Sequence, residues 1–404
     1  MKVILEGSCT SPLGFQAAAL AAGIKKAGED MALIYSEKKA VSAGVFTTNK
    51  VAAAPVHLDK KHLADSAAQA VIVNSGNANA CNGQRGMEDA SLMARLTAEG
   101  LNISEDDVLV CSTGVIGLEL PMDKVTAGIK QITGELSPDK GLAAAKAIMT
   151  TDTFAKHLAV EFELGGKKAT IGGIAKGSGM IQPNMATMLA FLTTDAAVDS
   201  AVLHSCLVKA VNKSFNLVTV DGDTSTNDTL LIMANGLAGN AAVAFGSPEE
   251  KIFQEALDKI CIALAKMMAK DGEGATKLVE VQVKGALTEA DAKKTAMAIA
   301  NSNLVKTAIF GEDANWGRVI AAVGYSGAEV DPEKIEIVFA SEAGRETMAL
   351  NGQNIAFSEE NASRILAEKE LIIMVDLHLG QAEVTAWTCD FSYDYVKING
   401  SYRS

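Results

Sequence analysis

Apolar and polar positions alternate along the chain with two periods. Residues 70–74 (AVIVN) and 108–111 are short apolar runs of β-type residues. Runs of this length, bounded by polar residues, predict buried strands. Residues 121–132 and 140–149 carry helical spacing, and the second is rich in alanine, the strongest helix former. Residues 169–175 form another apolar run, broken by Gly172 and Gly173. Glycines inside a strand predict a close approach of backbone.

The clearest helix lies further on. Ser247, Pro248 and Glu250 supply an N-cap, a first-turn proline and a capping-box acid. Ile252, Phe253, Ala256, Leu257, Ile260, Cys261, Leu264, Met267 and Met268 then form one apolar stripe at helical spacing. The helix is expected to stop near Lys270, before Gly272, and so to deliver residues 271–274 (DGEG) at a defined place. Residues 278–284 (LVEVQVK) alternate with period two, as residues 371–377 do in part, and both predict strands. Strands interleaved with helices predict an α/β protein.

The chain has 404 residues, 48% of them hydrophobic and 21% charged. That apolar share offsets the ordering entropy of folding and excludes a largely disordered chain. The length suggests two or three domains or one large α/β unit. With 36 basic and 49 acidic residues the formal net charge is −13. Such a charge argues against nucleic acid as a partner, yet leaves room for a small anionic substrate at a local basic site. No apolar run reaches the roughly 18–20 residues of a membrane span. The first apolar stretch, residues 3–5, stops at Glu6, so a secretory leader is not expected. Six dispersed cysteines without a CxxC pair read as reduced thiols, and the expected location is the cytoplasm. Five histidines, with no HExxH and no Cys/His cluster, give no reason to expect a metal site.

Three motifs fail on inspection. Residues 221–228 (DGDTSTND) resemble a calcium loop, but Thr226 stands at the glycine position and Ile232 at the closing glutamate. The stretch is read as a solvated turn or an N-cap cluster. Gly177-Ser178-Gly179 opens a dinucleotide fingerprint that Gln182 breaks. Residues 324–328 (GYSGA) miss the nucleophile elbow because Ala328 holds the last position.

Residues 176–191 (KGSGMIQPNMATMLAF) carry the most unusual chemistry. A lysine and two glycines enter a tight loop, Pro183 restricts Gln182, and Ala186-Thr187 stands where an apolar run begins. A small residue before threonine suits an N→O acyl shift. The Thr187 hydroxyl attacks the preceding carbonyl, and water cuts the ester to leave an N-terminal threonine. Its α-amine, with an intrinsic pKa of about 7.7–8.0, can serve as base to its own hydroxyl. An enzyme built this way needs no histidine.

This segment resembles the self-cleavage segment of the ornithine acetyltransferase family, also called glutamate N-acetyltransferase (ArgJ). Further blocks in family order support the resemblance over essentially the whole chain: residues 71–81 (VIVNSGNANAC), 111–117 (CSTGVIG), 150–154 (TTDTF), 271–277 (DGEGATK), 315–318 (NWGR), 324–328 and 395–404 (YVKINGSYRS). Departures are small. Gln182 replaces the histidine of many members, and Ser404 ends the chain where many have threonine.

The resemblance implies stacked β-sheets between helix layers, of the DmpA/ArgJ-like, N-terminal-nucleophile type, with a smaller C-terminal α/β part. It implies self-cleavage between Ala186 and Thr187 into an alpha chain of residues 1–186 and a beta chain of residues 187–404, assembled as a heterotetramer of two copies of each. It casts Thr187 as nucleophile and Thr113 and Gly114 as the oxyanion hole. Thr153, Lys176, Thr187, Glu273, Asn399 and Ser404 become substrate-binding positions. By charge, Lys176 suits an α-carboxylate and Glu273 an ornithine ammonium. The implied reaction is ping-pong transfer of acetyl from N2-acetyl-L-ornithine to L-glutamate in arginine biosynthesis. No cofactor is expected, and acetyl-CoA stays open as a co-substrate. Two other readings remain: an N-terminal-nucleophile aminopeptidase or amidase, with water as acceptor, and a non-catalytic paralogue. The strand-like residues of the tail suggest that it docks.

Overall fold

The computed structural model describes residues 1–182 and 188–401. They form two compact units. The first holds the described residues within 1–180, 184–216 and 223–264, and the second those within 181–183, 217–222 and 265–404. The length suggested two or three domains or one large α/β unit, and the described residues form two units.

The first unit contains β1 (Lys2–Ile4), β2 (Phe15–Leu20), β3 (Met31–Phe46), α1 (Ala54–His62), β4 (Ala67–Asn77), α2 (Gly83–Leu101), β5 (Val108–Val115), α3 (Met122–Ile132), α4 (Gly141–Ala147), β6 (Lys156–Leu164), β7 (Lys167–Lys176), β8 (Leu189–Thr194), α5 (Ser200–Asn212) and β9 (Thr229–Ala234). Its nine strands make one sheet in the order β1-β6-β7-β8-β9-β3-β4-β5, with β2 added on β3. Strands β4–β5 and β8–β9 pair in parallel. The long β3 serves two neighbours. Its first residues pair with β2 and β4, and beyond a register break between Tyr35 and Ala40 its end pairs with β9.

Both faces of β4 and β5 are buried. Ala70, Ile72, Val108 and Val110 enter a core with residues of α2 and α3, while Val71, Val73, Leu109 and Cys111 enter another with α4 and with β7 to β9. Side chains alternate between faces along a strand, so covering both sides demands an unbroken apolar run. That is the pattern of residues 70–74 and 108–111. The glycines of β7 are explained by approach. A Cβ on Gly172 would lie 2.0 Å from the Ser8 carbonyl oxygen, and one on Gly173 would lie 2.7 Å from Leu192.

Helix α6 (Pro248–Lys270) follows, and the boundary between units falls within it. Ser247 Oγ accepts from the Glu250 N–H at 3.2 Å, and Glu250 accepts in turn from the Gly246 N–H. Phe253, Ala256, Leu257, Ile260, Cys261, Leu264 and Met268 of its stripe are buried.

The second unit contains β10 (Leu278–Ala286), α7 (Glu289–Ala300), α8 (Asn303–Phe310), α9 (Trp316–Tyr325), β11 (Glu336–Ser341), β12 (Gly344–Leu350), β13 (Gln353–Asn354), α10 (Glu359–Leu366), β14 (Glu370–Asp376), β15 (Ala382–Cys389) and α11 (Tyr393–Gly400). Its sheet runs β13-β12-β11-β14-β10-β15, and β10 and β14, the two strands read from period two, lie side by side in parallel. Val279, Val281 and Val283 face the core, while Glu280 and Gln282 are half-buried. The expected mixed α/β class, with a smaller C-terminal α/β part, is what the chain forms.

The tail departs from its strand-like reading. Residues 393–400 are helical because Ser392 caps them, accepting from the Asp394 N–H at 3.2 Å. Tyr393 and Val396 are left exposed. All six cysteines are free. No helix among the described residues is long and apolar enough to cross a membrane.

Candidate active site

The last residues of β5 are set by its parallel neighbour. Asn74, Ser75 and Gly76 of β4 stand opposite Ser112, Thr113 and Gly114. Gly114 has φ +136°, and a Cβ there would lie 2.3 Å from the Gly76 carbonyl carbon. Only glycine meets both conditions. Ser112 Oγ donates to Asn74 Oδ1 at 2.6 Å, and Asn74 Nδ2 donates to the Asn77 carbonyl at 2.9 Å. Behind them, the fully buried Asp59 accepts from the Val110 N–H at 2.7 Å. Burial pushes its carboxyl well above the usual carboxylate range.

Lys176, at the end of β7, reaches this end of β5. Its Nζ lies 3.5 Å from Thr113 Oγ1 and donates to Thr150 Oγ1 at 2.7 Å. Lys176 and Thr113 are both buried. A solvated surface charge, the ordinary fate of a lysine, is therefore not its state. Asp152 compensates the charge. Its Oδ2 lies 3.7 Å from Lys176 Nζ, and its Oδ1 accepts from Lys156 Nζ and from the Gly177 N–H, both at 2.7 Å. Burial alone would raise this carboxyl, but the charges of Lys176 and Lys156 and the Gly177 N–H overcome it and hold it well below the usual carboxylate range. A further ammonium is half-buried nearby. Lys25 Nζ donates to the Met149 carbonyl at 3.0 Å, and burial, with Lys176 opposing the pull of Asp30, holds it below the usual lysine range.

The stretch 221–228 is not a solvated turn. Ser225, Thr226, Asn227 and Asp228 are buried. Asn227 Nδ2 donates to the Ala78 carbonyl at 2.6 Å and the Ser112 carbonyl at 2.8 Å. Asp228 Oδ1 accepts from the Met188 N–H at 2.8 Å. The polar composition is explained by this hydrogen-bonded role, which buried polar groups require.

In the second unit Glu273 is buried and accepts from Asn399 Nδ2 at 2.7 Å. The turn after α6 fits closely under the start of α11. Ser392 Oγ donates to the Gly274 carbonyl, and Gly274, at φ +70°, leaves no room for a Cβ beside the Tyr395 nitrogen. Elsewhere in that unit Glu336, Asp376 and His378 cluster, but Lys284 already pairs with Asp376 at 3.0 Å and His378 with Glu336 at 3.4 Å.

Of the residues expected from sequence, Thr113, Gly114 and Lys176 come together in the first unit, and Glu273 and Asn399 pair in the second. Thr153 is exposed, next in the chain to Asp152. Ala186, Thr187 and Ser404 lie outside the described residues. Sequence reasoning missed Asp152, Lys156, Lys25, Asn227 and Asp228. Asp152 sat in the quoted TTDTF block, and Asn227-Asp228 in a stretch tested only as a calcium loop.

The ArgJ family profile matches residues 16–404. The chain is 55% identical over 401 residues to the arginine biosynthesis bifunctional protein ArgJ of Caldanaerobacter subterraneus subsp. tengcongensis, covering 99% of this chain and 100% of that one. It is 56% identical over 403 residues to the protein of the same name from Symbiobacterium thermophilum, covering 99% of each. Among solved structures, a crystal structure of arginine biosynthesis bifunctional protein ArgJ from Bacillus halodurans is 47% identical with a TM-score of 0.50, covering 52% of this chain and 98% of that chain. These matches define a transferase of arginine biosynthesis. The chain belongs to the ArgJ family.

Proposed function

We propose that this chain cuts itself between Ala186 and Thr187 and then moves the acetyl group of N2-acetyl-L-ornithine onto L-glutamate through an acetyl ester on Thr187. The observation that carries the reading is the buried Lys176 ammonium against Thr113, beside Gly114. In this reading the Thr187 hydroxyl adds to the acetyl carbonyl and its α-amine takes the proton. The Thr113 hydroxyl and the Gly114 N–H hold the oxyanion, and each such donor contributes about 2.7–4 kcal/mol in the transition state. The C–N bond then breaks, the proton passes to the departing amine, and ornithine leaves. The glutamate amine attacks the ester and regenerates the threonine. Lys176 suits a substrate carboxylate and Glu273 an ornithine ammonium, and Thr153, Asn399 and Ser404 are proposed as further substrate-binding positions.

The Bacillus halodurans chain, matched over 98% of its own length by 52% of this one, has the size expected of one fragment of such a cut. The word bifunctional in the relatives' names supports a second donor, which we assign to acetyl-CoA. No other cofactor enters the scheme. The active form is proposed to hold two copies of each fragment and to work in the cytoplasm, to which six unpaired cysteines are suited.

Product analysis tests the reading. Incubation with N-acetylornithine and glutamate is expected to give ornithine and N-acetylglutamate in equal amounts. Release of free acetate in their place would make the protein an amidase, with water as acceptor.

A further inference from the structure

The buried dipeptide Asn227-Asp228 belongs to no motif that the reaction uses, yet it touches the backbone on both sides of the proposed chemistry. Asn227 Nδ2 donates to the Ser112 carbonyl, the acyl half of the Ser112–Thr113 peptide. Asp228 Oδ1 accepts from the Met188 N–H, the amine half of the Thr187–Met188 peptide. The neighbouring backbone tightens the same joint. The Thr229 N–H donates to the Met188 carbonyl at 3.1 Å, and the Asp228 carbonyl accepts from the Thr47 N–H at 2.9 Å. Adjacent residues have Cα atoms about 3.8 Å apart, so one peptide unit fixes both contacts at once.

Asp228 also carries an anomaly. It is fully buried, and its Oδ2 has no hydrogen-bond partner among the described residues. Burial pushes the carboxyl well above the usual carboxylate range, against the opposing Met188 N–H, Thr47 and Lys176. A buried polar atom left unpaired is costly, so packing alone gives no reason for an acid here. A methyl-bearing or smaller residue would fill the site but lose the Met188 anchor.

We infer that Asn227 and Asp228 are positioning residues that hold the Met188 N–H beside the Ser112 carbonyl, at the end of β5. This rests on the proposed role of Thr187. Neither side chain supplies a proton to the reaction. Asp228 acts as a fixed acceptor and Asn227 as a fixed donor.

The test uses the full chain and reads the rate of the cut by intact mass under denaturing conditions, then kcat and KM for acetyl transfer. Misplacement by about 1 Å can cost on the order of 100-fold in rate, and a loss of that order is expected for Asp228→Ala. Asp228→Asn keeps an acceptor for the Met188 N–H and is expected to cut and transfer close to the wild-type rate. Asn227→Ala is expected to lower kcat while KM for N-acetylornithine stays near wild type. Should Asp228→Ala fail to fold, Asn227→Ala with wild-type kcat overturns the inference. So does a folded Asp228→Ala that cuts at the wild-type rate, or an Asp228→Asn as slow as the alanine variant. A wild-type chain that never cuts refutes the Thr187 reading itself, which separates the two failures.

Discussion

Asp152 has no exposed side-chain oxygen and stands between two ammonium groups, Lys156 at 2.7 Å and Lys176 at 3.7 Å. Replacing it removes a carboxylate at 2.7 Å from the fully buried Lys156, and breaking a buried ion pair typically costs about 3–5 kcal/mol. Its pH dependence follows from the sign of the shift. The carboxyl is depressed in the folded state, so its contribution is present above the unfolded carboxylate value of about 3.9 and is lost as pH falls further. Urea unfolding of wild type and Asp152→Asn is therefore expected to differ strongly at neutral pH, with the gap closing below about pH 4. A gap of constant size from neutral to acid pH contradicts this account. At this scale the sequence was informative where chemistry was local. Lys176 stood out because two glycines and a proline followed it. Asp152 and Lys25 gave no such sign, because their roles depend on a partner brought from another strand or loop.

Strands β4 and β5 were legible as apolar runs because both of their faces are covered, and α6 because one face is. Gly114, within β5, was legible only as part of the CSTGVIG block. What the pairing of β4 with β5 adds is the reason for glycine at 114. Gly114→Ala puts a methyl against the Gly76 backbone at a φ that side chains rarely adopt. Such strain costs roughly 1–3 kcal/mol when tolerated at all, and the variant is expected to keep its secondary structure while losing most acetyl transfer. Full activity in Gly114→Ala, measured beside its circular dichroism, would remove Gly114 from the mechanism. Two elements misled the sequence reading for opposite reasons. Residues 225–228 are polar yet buried, because Asn227 bonds to the backbone of β5 and Asp228 to the Met188 N–H. Residues 393–400 are β-like in composition yet helical, because a serine cap outweighs propensity over two turns.

Across the whole molecule, the proposed cut and the compact units divide the chain differently. The bond between residues 186 and 187 lies between β7 and β8, which are antiparallel neighbours in one sheet. A cut there leaves β1 to β7 in one fragment and β8 and β9 in the other, with β8 held between β7 and β9. The two fragments are therefore expected to co-purify under native conditions and to part only in denaturant. Fragments that separate on native size-exclusion would contradict a shared sheet. The family and the reaction class were legible in ordered motif blocks. The arrangement of strands around the bond was not, since it depends on the pairing of β8 with β9, forty residues later in register.

The central claim is an acetyl ester on a threonine that the chain itself exposes. Purified protein is incubated with N-acetylornithine alone, without glutamate, and its mass is recorded under denaturing conditions. The account predicts two species, residues 1–186 and residues 187–404, with one acetyl group added to the second at Thr187 and none in a Thr187→Ala variant, which stays whole at 42.0 kDa. A wild-type chain that remains a single 42.0 kDa species, or a fragment that never gains the acetyl group, contradicts it.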